Sequence, residues 1–325
     1  MRGNIKEKKL NDKAIIILLV IVNILFICGF LFIGITSKNI GFYLPRRLNK
    51  ILAIALVSYS VGYSSITFQT ITNNHILTPS VMGLDSLYMF IQTIIVFFFG
   101  QRSISLMTGN SNFMISLVIM IAASTILFLL LFKGERNNVH FLVLTGMVMG
   151  SLFGGLSTFM QVILDPNEFS ILSGKMFASF NNINTDLLGI CIVIIIITFL
   201  ITLKDLPYLD VLSLGVENAI NLGVNYKKLV LKTLIITGIL VSVSTVLVGP
   251  ITFLGILIVS LGRRLVRSYK HSILTTVIVL LGCLFLNAGL FISERVFQFE
   301  TTISVIINFI GGIYFIYLML KESKQ

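Results

Sequence analysis

The feature that most constrains this chain is a series of long apolar runs separated by short polar stretches. A membrane-spanning helix needs about 20 consecutive apolar residues, and fewer where the helix is short or broken. The runs cover residues 14–35, 50–69, 81–100, 112–132, 140–163, 184–203, 229–248, 251–262, 272–292 and 302–320. This pattern predicts an all-α polytopic membrane protein with about ten transmembrane helices, in which residues 1–325 form a single transmembrane domain.

The composition favours the same class of protein. Hydrophobic residues make up 56% of the chain, charged residues make up 11%, and the mean hydropathy is +1.00. A soluble domain carries roughly 25% charged residues. The net charge of +11 would suit a nucleic-acid-binding protein, but in a polytopic membrane protein it reflects Lys and Arg in cytoplasmic loops. We therefore expect membrane lipid around the chain and no nucleic acid partner.

The distribution of Lys and Arg predicts the orientation. The N-terminal tail, residues 1–13, is basic, and the run that follows it is too long for the core of a signal peptide. With this tail inside the cell, 17 of the 24 Lys and Arg residues fall on the cytoplasmic side and the other seven outside. Because Lys- and Arg-rich loops stay cytoplasmic, both termini and the segment 204–228 are predicted to face the cytoplasm from the plasma membrane.

The sequence lacks the motifs of most catalytic chemistry. It has no Gly-rich phosphate loop ending in Lys and Ser or Thr, no HExxH and no nucleophile elbow. The three Cys and the three His are far apart in sequence, so no metal site is predicted. Asp85 and Lys232 lie near the ends of spans, whereas ion-coupled transporters usually keep an ionisable group at mid-membrane. We expect a passage that is not an enzyme, has no cofactor, and takes its energy from another protein.

The segment LSLGVENAINLGV, residues 212–224, is polar and lies between two very apolar runs. It predicts two short helices split at Gly215, with a second stop at Gly223, since glycine adopts the backbone angles of a tight turn without a steric penalty. A structured segment outside the bilayer is either an ordinary loop or a contact site for a soluble protein. The residues alone leave these two interpretations equal.

The first outer loop opposes the charge rule, because it carries Lys38, Arg46, Arg47 and Lys50. Basic side chains there can be retained because an acidic partner docks on them. The alternative is that they extend from a helix end toward water while their stems cover apolar surface.

The fifth run carries Gly146, Gly150 and Gly154 at intervals of four residues. Small residues at this spacing let two helices approach closely. The stripe therefore predicts either helix packing inside the chain or an interface with a second subunit.

Five stretches, in order, carry a resemblance to a known family. They are YLPRRLNK through TPSVMGL, ILSGKMFASF, LSLGVENAINLGV, GPITFLGILIVSLGRRLV and the C-terminal stretch that begins ERVFQFE. Each is similar to the corresponding motif of the FecCD-type permeases, the ten-span membrane subunits of ABC importers for iron–siderophores, haem and cobalamin. The similarity covers about residues 43 to the C-terminus. The last stretch resembles the branch that serves catecholate-type siderophores such as petrobactin and anguibactin.

The resemblance implies a type II ABC importer permease fold and import of a ferric siderophore. It also implies three protein partners, which are an ATPase subunit that binds the ATP, a second permease chain that is identical or different, and an extracytoplasmic siderophore-binding lipoprotein. Two alternatives stay open: import of haem or cobalamin by the same fold, and an ion-coupled secondary transporter without an ATPase.

The resemblance also assigns roles to residues of the 204–228 segment. It implies that 212–224 couples the permease to the ATPase, with Leu212, Leu214 and Leu222 as apolar anchors. Gly215 and Gly223 would form its turns. Glu217 would stand in the first turn of the second short helix, where a carboxylate is favoured.

Further roles are implied elsewhere in the chain. Arg46 and Arg295 would dock the binding protein, and Asn74 and Ile76 would form an inner gate. Gly146, Gly150 and Gly154 would lie on a helix that lines the pathway or the dimer contact. The sequence departs from the family pattern at four places, with Tyr43 for an Arg, His75 for a Pro, Ser260-Leu261 for Pro-His, and Asn287-Ala288 near the family's Ala-Asp.

Overall fold

The computed structural model describes residues 11–33, 39–99, 110–132, 139–181, 183, 185–298 and 301–322, which form helices and no strand. The α-helices are α1 (Asp12–Phe32), α2 (Ile40–Thr72), α3 (Leu84–Phe99), α4 (Asn110–Phe132), α5 (Val139–Ile163), α6 (Pro166–Met176), α7 (Thr185–Leu203), α8 (Leu206–Leu212), α9 (Val216–Asn221), α10 (Tyr226–Val248), α11 (Leu254–Leu265), α12 (His271–Arg295) and α13 (Ile303–Glu322). A 3₁₀ turn, Pro79–Met82, precedes α3. Residues 1–10 of the predicted tail, and Lys38, lie outside the described residues.

Each of the ten apolar runs forms a helix, which confirms the all-α, multi-pass class. Seven of these helices are long and apolar enough to cross a membrane: α1, α2, α4, α5, α10, α12 and α13. Helices α7 and α8, bent by 56° at the break between them, add an eighth span if the pair is counted as one. Helices α3 and α11 have only 16 and 12 residues. Within the described residues the count by length and composition is therefore seven or eight, where the sequence predicts about ten.

The eighth run begins its helix later than the sequence predicts. Gly249, with a φ of 99°, follows the last residue of α10. Helix α11 then starts only at Leu254 and continues past Gly262. The residues between the reversal and the helix place the hydroxyl of Thr252 3.0 Å from a carboxylate oxygen of Asp85.

The centre of the molecule is built from α2, α10 and α12. From Ala53 onward almost every residue of α2 is buried, including the polar residues Ser58 and Thr67. Small residues bring α12 close to α2: a Cβ on Gly282 would lie 3.0 Å from that of Ser58. Ser58 therefore packs between two helices, where a small side chain permits close approach.

Helices α2 and α12 run between two opposite ends of the molecule. One end gathers the C-terminus of α1, the N-terminus of α2, residues 180, 181 and 183, and the C-terminus of α12, and we call it the cleft end. The other gathers the C-terminus of α2, the helices α8 and α9, and the N-terminus of α12, and we call it the short-helix end. The candidate sites lie at these two ends.

Candidate functional site

The segment 212–224 folds as the sequence predicts. Helix α8 ends at Leu212 and α9 spans Val216–Asn221. Gly215 between them has a φ of 106°, and Gly223 after α9 has a φ of 85°. These angles are strained for any residue with a Cβ, so the two glycines allow a compact pair of short helices instead of one continuous helix.

The short helices present an apolar surface to the outside of the molecule. Leu214 is 59% exposed, Val216 37%, Ile220 54% and Leu222 65%. We call these four residues the apolar patch. Behind the patch, Ala219 is fully buried and fixes α9 against the rest of the chain. An apolar surface on an element that is not itself long enough to cross a membrane is typical of a protein contact site.

Leu212, predicted as an anchor for the ATPase, is only 3% exposed and lies in the core. The prediction is wrong for this residue. Leu209 and Leu212 are three positions apart and so share one face of α8, and this face packs inward. Glu217 lies in the first turn of α9 as predicted, and its side chain is exposed beside the patch.

The cleft end holds an open cavity of about 510 Å³. Its charged lining residues are Arg46, Arg47, Lys50, Glu294 and Arg295, four basic and one acidic. The two residues predicted to dock a binding protein, Arg46 and Arg295, are 249 positions apart in sequence and line the same cleft. The fold therefore brings three of the basic residues that break the charge rule, Arg46, Arg47 and Lys50, together with Arg295 on one positive surface.

Three of the four cations are held by groups of the chain itself. The guanidinium of Arg47 donates to the carbonyl oxygens of Phe30, Leu31 and Ile33 at 2.6 to 3.0 Å. Arg295 donates to the carbonyl of Ile33 at 2.7 Å. These contacts satisfy the last carbonyls of α1, where a positive charge is favoured by the helix dipole. Arg295 thus has a structural role in addition to any docking role.

Lys50 is also held by a group of the chain, whereas Arg46 remains exposed. The ammonium group of Lys50 lies 2.7 Å from a carboxylate oxygen of Glu294, and both side chains are largely buried. Arg46 is exposed, and its guanidinium stacks at 3.9 Å over the ring of Phe42. Stacking on an aromatic ring leaves the N–H donors at the rim of the guanidinium facing outward. Arg46 is therefore the cation of this cleft that is best placed to meet an acidic partner.

The predicted gate residues lie in the turn that ends α2. Asn73 closes the helix with a φ of 48°, and the side-chain oxygen of Asn74 accepts a hydrogen bond from the backbone N–H of Ile76 at 2.9 Å. Asn74 is exposed and Ile76 is half-buried. A side chain that bonds its own backbone two residues on is the usual device of an Asx turn. A gating role for these two residues remains a prediction.

The glycine stripe of α5 divides into two parts. Gly146 packs on Met82, and a Cβ on Gly150 would lie 2.7 Å from the Cα of Gly83. These two glycines thus pack inside the chain, against the turn before α3. Gly154 has no neighbouring atom within 4 Å of where its Cβ would be. Only this last member of the stripe is open to a second subunit.

Asp85 is a residue whose position the sequence did not reveal. It is the second residue of α3, so it is at a helix end as predicted, but that end lies inside the molecule. There it lines a small cavity of about 20 Å³ together with Ser64, Thr78 and Thr252. The hydroxyls of Ser64 and Thr78 have no protein partner. The cavity has room for about one water molecule, which these groups could bind.

His271 and Asp210 are two further residues that the sequence did not single out. They are 61 positions apart, yet the imidazole Nδ1 lies 2.7 Å from the carboxylate. No motif or spacing marks such a pair, because only the packing of α8 against α12 brings it together. Among the described residues, no group of three His, Cys, Asp or Glu side chains could hold a metal ion.

Comparison with known proteins identifies a family and several relatives of this chain. The model of the FecCD transport family matches residues 14–321, which extends the similarity to α1. A curated relative, the petrobactin import system permease protein YclO of Bacillus subtilis (strain 168), is 52% identical over 94% of this chain and 97% of its own length. Another, the petrobactin import system permease protein FatC of Bacillus anthracis, is 36% identical over 85% of this chain and 78% of its own length.

A solved structure shares the fold. It is described as "an inward-facing conformation of a putative metal-chelate type ABC transporter", and it matches with a TM-score of 0.81, 23% identity, and coverage of 96% of this chain and 100% of that chain. The type II permease architecture predicted from the motifs is thereby confirmed, as is the resemblance on which it depended. The chain belongs to the FecCD transport family.

Proposed function

We propose that this chain is the membrane-spanning permease subunit of an ABC importer that moves a ferric siderophore of the petrobactin class into the cytoplasm. The observation that carries the proposal is the 52% identity to a petrobactin import permease over almost the whole of both chains. The cleft and the apolar patch, at opposite ends of the bundle, supply the two contact surfaces that such a subunit needs. Energy comes from ATP bound by a separate ATPase subunit.

The apolar patch is the proposed contact with the ATPase. Burying a leucine side chain at an interface is worth about 1.5–3 kcal/mol, and Leu214 and Leu222 are each more than half exposed in this chain. The short-helix end would then face the cytoplasm, in agreement with the predicted charge distribution. Both termini would lie on that side.

The outer face of α5 is the proposed contact with a second permease chain. Leu144, Val148 and Phe159 are 58%, 61% and 66% exposed, so the described part of the chain leaves most of this face uncovered. Gly154 on the same helix leaves room for another helix to approach. Such a pairing would place the two permeases around a shared pathway.

The identity of the substrate is tested by measuring growth and iron uptake. A strain that lacks this chain is supplied with purified ferric siderophores, including petrobactin, with haem and cobalamin as controls, under iron limitation. We expect loss of growth and of ⁵⁵Fe uptake with petrobactin-class siderophores, and recovery when the gene is restored. Selective loss of haem or cobalamin use would support those alternatives. Uptake that persists without any ATPase and follows an ion gradient would overturn the ABC proposal.

The cleft end is the proposed docking site for the substrate-binding lipoprotein, and Arg46 provides its test. Replacing Arg46 with Glu is expected to weaken docking about fivefold at low salt, because a rim charge steers and orients an acidic partner. The difference should shrink at 0.5 M NaCl, where charges are screened beyond a few ångströms. Affinity is measured with the purified complex in nanodiscs at both salt concentrations.

Lys321→Glu makes the same charge change on an exposed residue in the last turn of α13. It should leave docking unchanged. Equal affinity of Arg46→Glu and the unaltered chain, at both salt concentrations, would remove Arg46 from the docking site.

A further inference from the structure

A chain of hydrogen bonds connects the short helices to the core of the bundle. A carboxylate oxygen of Asp210, in α8, lies 2.6 Å from the backbone nitrogen of His271 and 2.7 Å from its Nδ1. The other ring nitrogen, Nε2, lies 2.8 Å from the hydroxyl of Thr70 in α2. Three helices that are distant in sequence thus meet at one imidazole.

The chemistry of the groups fixes the direction of the first bonds. An ionised carboxylate can only accept, so both the backbone N–H and the Nδ1–H of His271 donate to Asp210. Because His271 is the first residue of α12, Asp210 also satisfies one of the free N–H groups at that helix N-terminus. A negative charge is favoured at this position by the helix dipole.

The imidazole is held tightly in place. His271 is 2% exposed and Thr70 is 8% exposed, whereas the side chain of Asp210 keeps 24% exposure. The link therefore begins near the surface of the short-helix segment and ends inside the bundle. Bonds that involve an ionised group and are shielded from water are stronger than neutral exposed ones.

Helices α2 and α12 are joined at their other ends as well. At the cleft end, Lys50 of α2 pairs with Glu294 of α12 at 2.7 Å. A helix of 25 residues is about 37 Å long, so α12 extends from His271 beside the short helices to Arg295 in the cleft. The pair α2–α12 is therefore connected at both ends and closely packed between them.

We propose that the Asp210–His271–Thr70 link transmits movement of the short-helix segment to the α2–α12 pair, so that His271 is a positioning residue for ATP-driven transport. The proposal rests on the proposed function, since it requires that an ATPase move this segment. Thr70 lies four residues before Asn74, so the link acts on the end of α2 that carries the predicted gate. Through α12 it also reaches the cleft where the binding protein would dock.

The test uses the complete complex of this chain, the second permease, the ATPase and the binding protein in proteoliposomes. Siderophore uptake and ATP hydrolysis are measured in the same preparation. For His271→Ala we expect uptake per ATP hydrolysed to fall about tenfold, which is a typical strength of coupling between two sites. Assembly with the ATPase and the rate of ATP hydrolysis should change by less than about twofold.

Other variants separate coupling from stability. Asp210→Asn keeps the shape of the side chain and should also lower the uptake per ATP hydrolysed. The double variant should be no worse than His271→Ala alone, as expected for residues of one network. His271→Asn places an amide donor near the position of Nδ1 and should restore part of the ratio. Thr276→Val, one turn along α12, removes an exposed hydroxyl that bonds only its own helix, and should change nothing.

If uptake per ATP hydrolysed were unchanged in His271→Ala and Asp210→Asn, the proposal would be overturned. A parallel loss of uptake, hydrolysis and assembly would also overturn it, since that result would mean that the link only stabilises the fold. A failure of the proposed function is distinguishable from both, because the complex with the unaltered chain would then move no siderophore.

Discussion

Replacing Leu222 with Glu is expected to abolish ATP-driven uptake. The leucine is 65% exposed at the centre of the turn after α9, so the substitution costs the chain itself little. At an interface it would remove the apolar contact and bury an unpaired charge, which should weaken ATPase binding at least about tenfold. The measurement is the amount of ATPase that co-purifies with the permease, together with uptake in proteoliposomes.

Asn221→Glu is the matched control for this substitution. It adds the same charge at the neighbouring exposed position without removing a residue of the apolar patch. ATPase binding should be close to that of the unaltered chain, and both variants should bind the substrate-binding protein normally. If Leu222→Glu instead lost the binding protein and kept the ATPase, the patch would have been assigned to the wrong partner.

Replacing Gly150 with Val is expected to destabilise the fold severely. A Cβ at this position would lie 2.7 Å from the Cα of Gly83, so backbone must move to admit it. Gly83 itself has a φ of 82° and cannot readily adapt. Overpacking of this kind costs about 3 kcal/mol, which lowers the unfolding midpoint by roughly 6 °C or more. Thermal unfolding can be followed with a thiol-reactive dye in a background where Cys28 and Cys283 are replaced by Ser, since the remaining Cys191 is buried until the chain unfolds.

Gly154→Val makes the same change one turn along α5, where no neighbouring atom lies within 4 Å of the position of the added Cβ. Its unfolding midpoint should move by no more than about 2 °C, as for a surface substitution. Its pairing with the second permease chain should weaken, because the added side chain stands at the edge of the proposed contact face. Equal stability of the two glycine variants would contradict the packing at Gly83, and undiminished pairing of Gly154→Val would contradict the contact face.

Much of the site could be predicted because it depends on local rules. The split at Gly215 and the stop at Gly223 follow from backbone angles that only glycine adopts easily. Arg46 is marked by the sequence, because positive charge is unusual in a predicted outer loop, whereas Arg295 is assigned only by the family resemblance. The resemblance implies that both contact the binding protein, but only the tertiary structure places them in one cleft.

What the sequence predicted wrongly, left open or missed also has a physical cause. Leu212 and Leu214 are both leucines of one short segment, but the turn of α8 buries the first and exposes the second. Gly146, Gly150 and Gly154 form one stripe in sequence, and only the position of the turn before α3 separates packed from open members. His271 and Asp210 left no signal, because a hydrogen bond between residues 61 positions apart requires knowledge of how helices pack.

The sequence by itself determined the class of protein, the positions of its helices, the turns of the short-helix segment and the family. The first three follow from length, hydrophobicity and backbone preference, which act within a few residues along the chain, and the family follows from the five motifs that occur in order. The tertiary structure alone decided which face of each helix is buried and which polar residues meet. In a membrane helix both lipid and neighbouring helices favour apolar side chains, so hydrophobicity does not separate the two faces, and only the packed arrangement assigns them.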